Sequence, residues 1–257
     1  MKLWISHKNY LPCYLLFCLF FSLVLFLITL LGFSILNRES SKSAVEIPAE
    51  SASFPIVVID AGHGGEDGGA VGENGVYEKD LNLSIAKTLD EMLRACGVKT
   101  VMTRTEDVLL YDRNSNYQGQ KKVQDLATRR AIAERYESAI FISIHMNSFP
   151  QTQYNGLQVY YSTNDPTSAQ LAEEIQSLVK DSLLPENRRA IKPAGSNIYL
   201  LNRLNCSAVL IECGFLSNPE ECAHLSDENY RRRLAQTLCV AIMNYLSESG
   251  KNPSIGT

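Results

Sequence analysis

Apolar residues fall along this chain in three patterns, and each predicts a different kind of element. The first is one long unbroken run. Residues 11–36, LPCYLLFCLFFSLVLFLITLLGFSIL, carry no charge. As a helix they would span about 39 Å, more than the roughly 30 Å of hydrocarbon in a bilayer. The run predicts an N-terminal signal-anchor, a transmembrane helix within residues 1–38. A cleaved export signal is the alternative, but the run exceeds the apolar core of such a signal and no convincing small-x-small site follows it. Lys2 and Lys8 before the run nearly balance Arg38 and Lys42 after it, so charge leaves its orientation open. Either reading carries the rest of the chain out of the cytosol. Residues 39–55 follow without any period, Ser-rich and with two prolines, and predict a linker.

The second pattern is the short apolar or alternating run bounded by polar residues. IVVID (56–60), VKTVMTR (98–104), AIFISIH (139–145), GLQVYYS (156–162), IYLLN (198–202) and AVLIECG (208–214) predict strands. The third is helical spacing. In EKDLNLSIAKTLDEMLRACG (78–97), Leu81, Ile85, Leu89, Met92 and Leu93 form one stripe and Gly97 suits the position after a helix end. LATRRAIAERY (126–136) predicts a second helix, and Asp165-Pro166 opens a third. Ser217-Asn218-Pro219-Glu220 has the form of a capping box, and one long amphipathic helix is expected after it, ending near Ser247. Strands alternate with helices, and several strands are apolar throughout, as in a parallel sheet covered on both faces. The expected domain is α/β over residues 56–247, with 248–257 a flexible tail. In such sheets function gathers beyond the carboxyl ends of the strands.

Composition narrows the function. The formal net charge is −4 and no basic stripe appears, which argues against nucleic acid as a partner. Cys96, Cys206, Cys213, Cys222 and Cys239 are scattered with no Cys-x-x-Cys, so a thiolate metal site is not expected, and small buried hydrophobes are favoured over disulfides. The glycine-rich IVVIDAGHGGEDGGA (56–70) is not a phosphate cradle. A dinucleotide fingerprint started at Gly62 would need glycine where Asp67 stands, and Glu66 and Asp67 would repel a phosphate. The only Gly-Lys pair, Gly250-Lys251, is followed by Asn252.

What the glycine loop carries is His63. It follows one predicted strand, His145 ends another, and Glu212 lies at the end of the apolar run AVLIE. If these strands run parallel, the three side chains reach one edge of the sheet. Glu78, at the start of the helix after the loop, reaches it too. Two histidines and one carboxylate, with a water, make a catalytic zinc site, and a second carboxylate off the metal can move the water's proton to a leaving amine. Singly, each residue has a plainer reading: His63 an ordinary loop histidine, His145 a core histidine, Glu78 a partner of the helix dipole. Glu212 is hardest to set aside, because a carboxylate ending such a run is costly to bury without a partner or a task.

IDAGHGGEDGGAVG, EKDLNLSIAKTL, FISIHMNS, NIYLL and AVLIECGFLSNPEE, in that order, resemble the zinc-dependent N-acetylmuramoyl-L-alanine amidases of the amidase-3 family over about residues 56–246. The resemblance implies a twisted, mostly parallel six-stranded sheet flanked by helices. It implies hydrolysis of the amide joining the lactyl group of N-acetylmuramic acid to L-alanine in peptidoglycan, with one zinc per domain. Position by position, it makes His63, Glu78 and His145 the zinc ligands and Glu212 the acid/base, and it places Asn147 and Arg189 beside the substrate groove. The anchor, the bare domain and the stretch NSNYQGQKKVQDLATR are most similar to the germination-specific amidases of spore-forming bacteria, which prepare the spore cortex for muramic lactam formation. Such a protein would sit in the membrane with its domain on the wall side. An activating protein partner would leave no sign in these residues. A zinc peptidase of peptidoglycan cross-links and a catalytically dead wall-binding module are the rival readings.

Overall fold

A computed structural model describes residues 55–114 and 119–249. The predicted membrane helix, the linker up to Phe54, residues 115–118 and the tail from Gly250 lie outside the described residues, and so does any test of the anchor. None of the described helices is long and apolar enough to cross a membrane.

The elements run β1 (Ile56–Ala61), α1 (Glu78–Ala95), β2 (Thr100–Met102), α2 (Lys121–Ala133), β3 (Ala139–Asn147), β4 (Gln158–Tyr161), α3 (Thr167–Ser182), β5 (Lys192–Pro193), β6 (Ser207–Phe215), α4 (Pro219–Ser226) and α5 (Glu228–Glu248). The strands form one six-stranded sheet in the order β2-β1-β3-β6-β4-β5. β2, β1, β3 and β6 are parallel, as expected. β4 runs antiparallel to β6, and β5 follows β4.

The sheet's two faces differ. Alternate residues Val57 and Ile59, Ile140, Ile142 and Ile144, and Val209 and Ile211 join the larger core with Ile85 and Leu89 of α1, Leu171 and Ile175 of α3 and Leu238 and Ile242 of α5. The residues between them point the other way. There Val58, Phe141 and Ala208 meet Leu200, Leu201 and Leu204 in a smaller cluster. Along this second face the same strands turn polar toward their carboxyl ends: Val58 gives way to Asp60, Phe141 to Ser143 and His145, Ala208 to Leu210 and Glu212. Period-two alternation thus places a polar row on the open end of the thinner face.

Several expectations are corrected by the structure. IYLLN is not a strand. Residues 198–202 are turns whose leucines cover the second face, so its apolar pattern comes from packing onto the sheet and not from pairing within it. The sixth strand is instead the two-residue β5. The expected long C-terminal helix is two helices, broken at Asp227, whose side chain accepts from Asn229 N and starts α5. α4 is capped by Asn218 rather than Ser217: Asn218 Oδ1 accepts from Glu220 N and Glu221 N, while Ser217 Oγ accepts from Phe149 N. α2 starts about a turn earlier than expected, at Lys121. Cys213, Cys222 and Cys239 are buried as expected, whereas Cys96 is exposed and Cys206 intermediate; all five are free thiols.

Candidate active site

β1 ends at Ala61, and Gly62 crosses closely under the next strand. A Cβ on Gly62 would lie 2.3 Å from the His145 ring, so only glycine lets the chain pass. His63 then adopts a left-handed φ of 62°, the only positive φ outside glycine among the described residues. Such a conformation needs support from its surroundings. Two buried arginines give it. Arg129 of α2 donates to the carbonyls of Ala61 (2.8 Å) and His63 (2.6 Å). Arg104 donates to the carbonyls of Ala61 (2.8 Å) and Gly62 (3.0 Å). Arg129 is itself paired with Asp60 (2.6 Å) and Asp125 (2.9 Å). Ser143 and Thr103 complete the Asp60 carboxylate. Burial alone would raise the Asp60 pKa; Arg129 and the two hydroxyls reverse that and hold it below its ordinary value.

Glu78, the first residue of α1, is buried. Its Oε2 accepts from Ala70 N at 2.8 Å and its Oε1 from Met146 N at 3.0 Å. Oε1 also lies 2.9 Å from His145 Nδ1 and 3.2 Å from His63 Nε2. A Cβ on Gly69 would come within 2.5 Å of Glu78 Oε2, a second place where the loop must be bare. Burial raises the pKa of Glu78, but both histidines outweigh it and the group is held well below the carboxylate range. His63 is the converse: burial lowers its pKa, and Asp67 with Glu78 raises it to about 9. One ligand atom each of His63, Glu78 and His145 lies within 4.8 Å of the other two. Three ligand atoms that converge around one buried carboxylate favour a cation there, and two imidazoles with one carboxylate suit zinc better than magnesium or calcium, which prefer all-oxygen shells.

Glu212 of β6 stands in register beside His145. The residue is only partly buried, yet Oε2 is sealed from solvent and has no hydrogen-bond partner among the described residues. Burial, reinforced by Glu78 and opposed by the histidines, raises its pKa to about 7. Asn147 ends β3 just past a register shift. It lines a cavity of about 290 Å³ together with Arg189. All six residues expected from the sequence therefore gather at one end of the second face.

Sequence reasoning missed the groups that hold the ligands. In the sequence Asp67 reads only as a misfit to phosphate binding. Its Oδ2 accepts from His63 Nδ1 at 2.9 Å and meets the ammonium of Lys122. Asn82, one turn past Glu78, donates to the Gly62 carbonyl at 3.1 Å. Arg129 lay in the predicted helix, and a lone arginine among exposed-looking charges gave no signal. Asp60, a carboxylate ending an apolar strand, did carry the same signal as Glu212.

With this geometry, comparison with known proteins is informative. A family model described as N-acetylmuramoyl-L-alanine amidase matches residues 57–244. The germination-specific N-acetylmuramoyl-L-alanine amidase of Bacillus subtilis (strain 168) is 33% identical over 201 residues, covering 78% of this chain and 84% of that one. The CwlD amidase from Clostridioides difficile, solved in complex with the GerS lipoprotein, superposes with a TM-score of 0.72 at 38% identity, covering 76% of this chain and 99% of that one. AmiC2 of Nostoc punctiforme, also an N-acetylmuramoyl-L-alanine amidase, gives 0.64 at 32% identity, covering 76% and 98%. With the fold, the site and these likenesses in agreement, the chain belongs to the amidase-3 family of N-acetylmuramoyl-L-alanine amidases.

Proposed function

We propose that the chain cleaves the amide between the lactyl group of N-acetylmuramic acid and L-alanine of the peptidoglycan stem, using one zinc held by His63, Glu78 and His145. Zinc bound there supplies a Lewis acid that acidifies water and polarises the scissile carbonyl. The rest is the work of the chain's own residues. Glu78 neutralises one positive charge, and its Oε1 stands against His63 Nε2 and His145 Nδ1, so that the three residues' ligand atoms face one point. Asp67 accepts the Nδ1 proton of His63 and leaves Nε2 as the ligand atom. Glu212 takes the proton of the attacking water and passes it to the leaving amine of alanine. An acidity near neutral suits a group that must both accept and give a proton. Asn147 and Arg189 border the groove that receives the substrate.

The biological setting belongs to the same proposal. Residues 11–36 anchor the chain in the membrane, residues 39–55 tether the domain, and the domain works on the wall side. Support for a spore-cortex task comes from the name of the germination-specific relative. Support for a protein partner comes from the neighbour's complex with a lipoprotein.

The observation that carries the reading is the His63–Glu78–His145 group with the orphaned Glu212 carboxylate in register beside it. Mass spectrometry of peptidoglycan treated with the zinc-loaded full-length protein tests it. Free lactyl carboxyls with intact stem peptides are expected. Cut cross-links with every lactyl amide intact would overturn it.

A further inference from the structure

On the side of Glu212 away from the histidines lies a cavity whose chemistry the hydrolytic step does not use. Register places His145, Glu212 and Gln158 in one row across three neighbouring strands, β3, β6 and β4. Strands lie about 4.8 Å apart, so Gln158 stands about 10 Å from His145, with Glu212 midway. Gln158 Oε1 accepts from Arg189 Nη1 at 3.0 Å. Arg189 Nε donates to the Asn155 carbonyl at 2.6 Å, and the guanidinium lies 4.4 Å from the centre of the Phe215 ring. Arg189 is therefore a fixed cation, and its Nη2 has no partner among the described residues.

The second cation is Lys192. It stands opposite Tyr160 on β5, exposed, and no hydrogen bond or ion pair holds its ammonium among the described residues. Arg189 and Lys192 line the same cavity of about 290 Å³, and among the described residues no acidic side chain lines it. Phe149 and Tyr154, edge to face at 5.4 Å and about half exposed, give the cavity an apolar wall. In a chain of net charge −4, a hollow with two cations, no acid and an aromatic side is built for an anionic group carried on a partly apolar backbone.

The position says which group. A stem peptide leaving the scissile amide beside Glu212 advances about 3.3–3.6 Å per residue, so the roughly 5 Å from Glu212 to Gln158 is covered by its second residue. We propose that Arg189 and Lys192 form a carboxylate subsite that reads a free carboxylate on the second residue of the stem peptide. This inference rests on the amidase reading above and adds to it a preference among stem peptides.

The test compares two muropeptides that differ only at that group, free carboxylate against carboxamide, with the full-length zinc-loaded protein. The wild type should favour the carboxylate by about tenfold in kcat/KM, in line with a hydrogen-bonded charge pair. The preference should enter through KM, because the group is remote from the reacting atoms. Lys192→Gln should collapse the ratio toward one, and Lys192→Arg should restore it. Lys180→Gln, on an exposed turn of α3, should leave the ratio as in wild type. A wild type that does not distinguish the two substrates, or a Lys192→Gln variant that keeps the full preference, would overturn the subsite while leaving the amidase reading intact. A wild type that releases stem peptide from neither would overturn both.

Discussion

His63 joins a left-handed backbone to a ring bonded at both nitrogens, Nδ1 to Asp67 and Nε2 facing Glu78. A non-glycine residue in that region costs of order 1–3 kcal/mol and persists only where its neighbours fix it. The Asp67 carboxylate fixes the tautomer, and Lys122 holds the carboxylate. Asp67→Asn keeps the shape and weakens that acceptor. Zinc affinity, measured by competition with a chelator, should fall by about 10–100-fold with the circular dichroism spectrum unchanged. Unchanged affinity would remove Asp67 from the site. Glu212 makes a second prediction, about the metal-free protein. Its pKa is about 4.5 in the unfolded chain and about 7 in the fold. Below pH 4.5 both states are protonated and the burial costs nothing. Between pH 4.5 and 7 the native state holds a proton that the unfolded state has released, so stability falls as pH rises, by at most about 3 kcal/mol in all. Chelator-treated Glu212→Gln should therefore melt with wild type at pH 4.5 and above it at pH 8. Equal melting at both pH values would contradict the stated burial of Oε2.

At the scale of elements, the site is held by a polar joint between β1 and α2. Arg129 crosses from helix to strand end and meets Asp60, Asp125 and two loop carbonyls, while Asp125 Oδ1 also accepts from Leu110 N at 2.9 Å. Removing one partner of a buried ion pair costs about 3–5 kcal/mol, because the other charges stay buried. Arg129→Met should lower the melting temperature by roughly 10 °C, given about 2–4 °C per kcal/mol for a domain of this size. A change under 2 °C by calorimetry would show that the joint is not under this electrostatic load. Element types were mostly legible, since β1, β3 and β6 are continuous apolar runs and α1 keeps its stripe. IYLLN misled because four apolar residues packed on a sheet look like four apolar residues within one. β5, Lys192-Pro193, has no pattern to read at all. The break at Asp227 is a capping event, which interrupts a helix without interrupting its apolar stripe.

For the whole molecule, the decisive feature is that one face of the sheet changes from apolar to polar along the strands. Parallel β1, β3 and β6 bring His63, His145 and Glu212 to one end, and α1 starts there with Glu78. That convergence was legible, because strand ends in a parallel sheet share an edge. The braces were not, since Arg104, Arg129 and Asp67 act on backbone carbonyls and ring tautomers that sequence spacing does not encode. The proposed mechanism divides the labour: three residues would hold zinc and Glu212 would perform the proton transfers. Zinc content and stem-peptide release measured together on Glu212→Gln test it most directly. The variant should keep about one zinc per chain and lose about 10²–10⁴-fold in rate. Loss of the zinc, or wild-type turnover with the zinc retained, would contradict it.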